Sequence, residues 1–253
     1  MQNPINFTPP SSVSLYGLPI YGGSLSRCRD MLRGIMQKAR NAPYLVFTPN
    51  LEMLSRAKHS NSLRSLLASG DLLLPDGIGV RLLSHFCIKE RISGIDTGEF
   101  LLFCAAKNGY RVYLLGGKDG VASDAAQRLT ERFPTLRVVG VHHGYFDRTE
   151  EPSVTAHIRV AAPDLLFVCM GFPRQEGFLA RNRDALSPVR MALGLGGALD
   201  VWSGNTPRAP LWIQNCGLEW LFRVLKEPSR LPRLWKSLQY TLSKPQDGLP
   251  HNK

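Results

Sequence analysis

Two short strings place reactive side chains where an apolar run stops. YLVFT (44–48) leads into TPN at 48–50, and DLLLPD (71–76) leads into PDG at 75–77. Thr48 and Asp76 therefore stand at strand ends, facing a shared crevice. A carboxylate in such a crevice is a candidate general base, because partial burial and neighbouring groups tune its pKa. Asp76 also precedes Gly77 and a helical pattern, so it equally suits the N-cap of that helix. The residues alone leave both roles open.

Glycines form a second set. Gly116–Gly117, with Gly120 beyond, close one apolar run, and Gly194, Gly196 and Gly197 close another. Glycine lets backbone N–H groups approach a phosphate at a helix N-terminus. Neither stretch is a GxGxxG fingerprint, since GLGGAL (194–199) lacks the last glycine, and no GxxxxGK[ST] loop occurs. The third set is GFPRQE (171–176). Gly171 and the proline turn the chain, and Arg174, Gln175 and Glu176 then occupy the first turn of a helix. Polar side chains and free N–H groups there suit a diphosphate or a ribose. Glu176 alone would also complement the helix dipole.

Other chemistries lack their residues. The chain has no Asp-x-Asp, no HxxxH or HExxH spacing and no GxSxG elbow; His142 and His143 lie in HHGYF, a loop or packing string. The expectation is therefore no metal and no cofactor. Charge on a phosphorylated donor would be met by Arg, Lys and helix dipoles.

These strings need a framework, and the periodicity supplies one. The runs YLVFT, DLLLPD, RVYLLG (111–116), LRVVGV (136–141), PDLLFVCMG (163–171) and VRMALGLGG (189–197) alternate with helical patterns at Leu51–Ala68, Thr97–Asn108, Ala122–Phe133 and Gln175–Ala185. Continuously apolar strands separated by helices predict an α/β fold: a mainly parallel sheet with helices on both faces. In such a sheet, ligands bind outside the carboxyl ends of the strands. The expected organisation is a loose arm at 1–14, a core at 15–204 and an appendage at 205–253. The appendage carries eight basic and three acidic residues and three of the four tryptophans, with helical text and no strand pattern.

The whole chain carries a formal +11 over 253 residues, with 43% hydrophobic and 20% charged residues. That composition excludes a disordered, collagen-like or disulfide-scaffold protein. The charge favours an anionic partner: nucleic acid, a phosphorylated substrate or an acidic membrane surface. The five cysteines show no CxxC pair and read as reduced thiols. The opening MQNPINFTPPSS is not signal-peptide text, and no apolar run reaches the roughly 18 residues that cross a bilayer. Any membrane contact is expected to be peripheral.

Taken together, FTPNLEML, LLLPDGIGV, ERISGIDTGEFL, VYLLGGKDGV, GYF, PDLLFVCMGFPRQE, GGALDVWSG, RAPLWIQNCGLEWLFR and EPSRLPR resemble the WecG/TagA/CpsF glycosyltransferases, in family order from about residue 15 to 240. The resemblance implies a Rossmann-like core with a C-terminal appendage. It also implies transfer of a sugar, usually from a UDP-sugar, to a polyprenyl-diphosphate-linked sugar acceptor, with inversion to a β-linkage. It carries a proposed base onto Asp76, with Thr48 and Asn50 beside it. Donor recognition falls near Gly116, Gly117, Gly171, Gln175, Glu176, Gly196 and Gly197. Arg208, Arg223, Arg230 and Arg233 are left to close over the diphosphates. The location implied is cytoplasmic, peripheral on the anionic inner face of the plasma membrane, with a homo-oligomer left open. Two rivals remain, a nucleic-acid-binding module suggested by the charge and tail aromatics and a nucleotide-dependent oxidoreductase. Strand-end clustering of the motifs, with no RRM, helix-turn-helix or OB signature, favours an enzyme without nucleic acid as partner.

Overall fold

A computed structural model describes residues 11–38, 40–210 and 213. The described chain opens with a hairpin in which β1 (Ser12–Leu15) pairs antiparallel with β2 (Leu18–Tyr21). Its two turn residues, Tyr16 and Gly17, have φ of 54° and 79°, matching the twist that two-residue hairpins need. The sheet thus begins at Ser12, inside the stretch expected as a loose arm, and the antiparallel edge was not anticipated. Residues 1–10 lie outside the described residues, as do 211–212 and 214–253, which hold nearly all of the expected appendage.

From the hairpin the chain continues through α1 (Leu25–Met36), β3 (Tyr44–Phe47), α2 (Leu51–Lys58), α3 (Asn61–Ala68), β4 (Leu72–Leu73), α4 (Ile78–Leu83) and α5 (Gly94–Asn108). Next come β5 (Arg111–Gly116), α6 (Val121–Arg132), β6 (Arg137–His142), α7 (Glu151–Ala161), β7 (Leu165–Cys169), α8 (Arg174–Arg181), β8 (Met191–Gly194) and α9 (Ala198–Trp202). The eight strands form one sheet in the order β1-β2-β4-β3-β8-β7-β5-β6, parallel throughout except for β1. This is the expected Rossmann-like α/β architecture.

Side-chain alternation along each strand divides the core. Tyr44 and Val46 of β3 face one layer with Leu32, Leu102, Leu129 and Leu199, hence with α1, α5, α6 and α9. Leu45 and Phe47 face the other with Leu54, Leu67, Val80, Ile158 and Phe178, hence with α2, α3, α4, α7 and α8. Both faces of β3, β7 and β8 are fully buried, which explains their unbroken apolar text.

The amino edge of the sheet is pinned by carboxylates. Asp71 accepts from Leu45 N (2.8 Å) and from the Arg183 guanidinium (2.6 Å). Asp164 accepts from Arg111 N (2.9 Å) and Arg190 Nε (2.8 Å). At the opposite edge, β3 leads into α2 on one layer, while its neighbour β8 leads into α9 on the other. The diverging connections open a crevice between the two strand ends.

Two helix readings change. The single helix expected at 51–68 is two, because Ser60 Oγ accepts from Leu63 N (3.3 Å) and starts α3 afresh. The helix expected at 175–185 ends at Arg181 and is followed by a 3₁₀ turn, Asp184–Leu186.

Candidate active site

Strand order sets the order of loops along the carboxyl edge: PDG after β4, TPN after β3, GLGG after β8, GFPRQE after β7, Gly116–Gly117 after β5 and HHGYF after β6. Neighbouring strands are about 4.8 Å apart, so the Asp76 strand and the Gly171 strand are separated by about 14 Å. Backbone bonds join adjacent loops. Asp76 N donates to Pro49 O (3.1 Å), Leu195 N to Val168 O (3.0 Å), Gly117 N to Cys169 O (3.1 Å) and Gly144 N to Gly117 O (2.8 Å).

Asp76 is half-buried at this edge. The N-cap position of α4 is filled by Gly77, at φ 85°, which has no side chain to offer the helix. Asp76 stands one residue ahead of the N-cap position that the sequence suggested for it. Thr48 is 7% exposed, and its Oγ1 donates to Gly194 O (3.1 Å), tying the ends of β3 and β8 across the crevice. Asn50 has a structural task that the sequence reading missed. Its Oδ1 accepts from Met53 N (3.0 Å), making it the N-cap of α2. Asparagine directly ahead of LEML was the available signal.

Gln175 and Glu176 point into the protein. Gln175 Oε1 accepts from both Gly171 N (3.1 Å) and Gly196 N (2.9 Å), so one amide oxygen joins the loops after β7 and β8. Its Nε2 donates to Glu176 Oε1 (2.9 Å). Glu176 is fully buried, and its Oε2 has no hydrogen-bond partner among the described residues. Burial pushes its carboxyl up to about 7, against the opposing pull of the Gln175 hydrogen bond and the Arg56 charge.

The glycines divide by cause. A Cβ on Gly116 would lie 2.2 Å from the carbonyl oxygen of Cys169, and its φ is 140°, so the neighbouring strand alone demands glycine there. Gly117, at φ 69°, is crowded instead by a side chain, with Val121 Cγ1 2.7 Å from an added Cβ. Gly197 differs: it is exposed, its φ is −86°, and the nearest atom to an added Cβ is Asp200 Oδ2 at 3.6 Å. Among the described residues, nothing requires glycine at that position.

Arg208 is half-buried and ion-paired with Asp96 of α5, with Glu99 further off at 3.8 Å; Glu99 also meets Arg132 at 3.1 Å. A diphosphate would have to compete with those carboxylates for its guanidinium. Arg223, Arg230 and Arg233 lie outside the described residues. A cleft of about 540 Å³ opens off the β6 and β7 loops, lined by Leu63, Phe146, Arg148, Pro173, Arg174 and Arg181 among others. Arg174 donates to Phe146 O and lies 5.3 Å over its ring. Thr48 and Asp76 are not part of this lining. Among the described residues, no three His, Cys, Asp or Glu side chains gather as a metal site. Cys28, Cys104 and Cys169 are buried free thiols, and Cys87 is exposed.

Comparison with known proteins gives one answer. The model of the family described as "Glycosyl transferase WecG/TagA/CpsF family" matches residues 13–244. The N-acetylglucosaminyldiphosphoundecaprenol N-acetyl-beta-D-mannosaminyltransferase of Bacillus subtilis (strain 168) is 35% identical over 203 residues, covering 79% of this chain and 78% of its own length. The protein of the same name from Bacillus spizizenii is 34% identical over 204 residues, with the same coverage.

Two expectations follow from this geometry. Gly116→Ala should lower stability by on the order of 3 kcal/mol in urea unfolding, through backbone strain and overpacking. Gly197→Ala should stay within about 0.5 kcal/mol of wild type yet lose roughly tenfold or more in activity. Full activity in Gly197→Ala would remove that residue from the donor site.

The second concerns Glu176. Its folded-state pKa lies above the ordinary 4.5, so the folded protein holds the proton more tightly than the unfolded chain. Stability therefore falls as pH rises through about 4.5 to 7, by up to on the order of 3 kcal/mol. Glu176→Gln should remove that fall. Its stability relative to wild type should be higher at about pH 8 than at about pH 5, and equal differences at the two values would show that Glu176 does not carry the effect.

Proposed function

The chain belongs to the WecG/TagA/CpsF family of glycosyl transferases, and we propose that it moves a sugar from a UDP-sugar to a sugar carried on a polyprenyl diphosphate. The names of the two Bacillus relatives make an N-acetylmannosaminyl group and an N-acetylglucosaminyl-diphosphate lipid the first pair to try. A β product from an α-linked nucleotide donor requires inversion, hence a single displacement. The observation that carries this reading is the half-buried Asp76 carboxyl group at the carboxyl edge, held beside the TPN loop by its own backbone N–H.

In the proposed reaction, Asp76 takes the proton from the acceptor hydroxyl as the oxygen attacks C1 of the donor sugar. The donor lies along the carboxyl edge. Its sugar stands over the crevice between β3 and β8, and its diphosphate runs toward the glycine loops after β8 and β7. Negative charge growing on the leaving UDP is met by backbone N–H groups and by arginines from the basic C-terminal segment, without bound metal. That segment and the chain's net positive charge support work at the anionic inner face of the plasma membrane, where a polyprenyl carrier resides. Among the described residues, no helix is long and apolar enough to cross a bilayer.

Release of UDP from UDP-N-acetylmannosamine, dependent on a lipid-diphosphate-linked N-acetylglucosamine, tests the reaction. Asp76→Asn keeps the shape and removes the base, so its rate should fall by roughly 10²–10⁴ with donor affinity nearly unchanged. Normal turnover in that variant would dismiss Asp76 as the base. Activity should also survive excess EDTA. A strict need for magnesium or manganese would overturn the metal-free scheme.

A further inference from the structure

Immediately past the PDG loop, the chain builds a small rigid tip that turns apolar side chains outward. Leu82, near the end of α4, and Phe86, in the loop that follows, are each 54% exposed. His85 and Phe86 both adopt left-handed backbone, at φ 48° and 61°, which non-glycine residues rarely take and which costs free energy. The loop is nonetheless fixed by hydrogen bonds. Phe86 N donates to Arg81 O (2.9 Å), Cys87 N to Ser84 O (2.9 Å) and Ile88 N to Ser84 Oγ (3.1 Å), while Arg81 Nε reaches Ile88 O (3.3 Å). Ile88 is fully buried and anchors the far side. A surface loop under no demand would relax this conformation or carry polar residues at its apex.

The charges around the tip are mainly basic. Arg81 lies 5.7 Å over the Phe86 ring, and His85 and Lys89 are exposed. Glu90, the one acidic residue of the loop, is turned away, accepting from Leu25 N (2.6 Å) at the start of α1. An aromatic and a leucine flanked by Arg81 and Lys89 match the chemistry of an anionic bilayer. The apolar groups enter the headgroup boundary, and the cations meet lipid phosphates. The tip is also joined to the site, since α4 spans only six residues, about 9 Å of helix, between Gly77 and Leu83.

We infer that the α4 tip, through Leu82, Phe86 and Lys89, is a contact with anionic lipid that holds the PDG loop close to the membrane surface. The purpose of the contact rests on the proposed lipid-linked acceptor, but the contact is measured without turnover. Full-length protein is sedimented with phosphatidylglycerol-containing vesicles and with phosphatidylcholine vesicles alone. Wild type should prefer the anionic vesicles, and Leu82→Ser/Phe86→Ser should lose roughly tenfold or more in partitioning. Lys89→Glu should weaken binding to the anionic vesicles. Phe103→Ser, at an equally exposed phenylalanine on α5 in the opposite layer, should leave binding unchanged. Phe86→Trp should gain fluorescence quenched by brominated lipid. Binding by Leu82→Ser/Phe86→Ser equal to wild type, an equal loss in Phe103→Ser, or no quenching at Trp-substituted position 86 would each overturn the assignment. Turnover on a water-soluble, short-prenyl acceptor without vesicles should be the same in wild type and Leu82→Ser/Phe86→Ser. Absence of turnover in both would count against the proposed reaction while leaving the vesicle result to stand alone.

Discussion

A parallel sheet buried on both faces meets solvent with its backbone at strand ends and little else. That constraint organises this molecule. With helices packed on each side of β3, β7 and β8, polar chemistry is confined to the two edges. The amino edge is occupied by Asp71 and Asp164, whose carboxylates are spent on strand N–H groups and arginines. The carboxyl edge retains the glycine loops, Thr48 and Asp76. Its loops are joined by strand-to-strand backbone bonds, so the crevice is an extension of the sheet and inherits its rigidity.

Within that edge the Gln175–Glu176 pair performs an unusual service. One amide oxygen holds two loop N–H groups, and the amide's orientation is fixed by the adjacent carboxyl group. Only Oε1 of Gln175 can accept, and a flipped amide would face the two glycine N–H groups with a donor. Glu176 pins the correct orientation by accepting from Nε2. A fully buried acid is tolerated to keep a neutral side chain the right way round.

The frame was legible because continuous apolar runs in β3, β5, β7 and β8 allow few other readings, and the loops that end them carry the motifs. The hairpin was hidden because its turn is Tyr16-Gly17 and not the asparagine or aspartate pair that advertises such turns, and because the alternation of β1, SVSL, runs for only four residues. At the site, residue types indicated where polar groups gather but not which way they point. Gln175 and Glu176 suited a ligand by composition, yet their bonds run inward. Arg208 suited a diphosphate, yet its carboxylate partner Asp96 lies 112 residues earlier in the chain. No local pattern can announce a pairing of that kind. Gly116 looked like a phosphate glycine, while the requirement comes from a neighbouring strand's carbonyl.

The carboxylate pairs at the amino edge have a consequence for how the protein can vary. Asp164 and the loop that follows β7 are separated by the length of that five-residue strand, about 17 Å at 3.3 Å per residue. Two unit charges at that distance interact by less than about 1 kcal/mol at an effective dielectric constant of 20. The ion pairs can therefore be exchanged, strengthened or lost with little effect on the electrostatic potential at the opposite edge. The charges that pin the amino edge and those that shape the crevice thus sit on separate sets of positions. Ion pairing at the amino edge can therefore be altered with little retuning of the carboxylate beside the crevice.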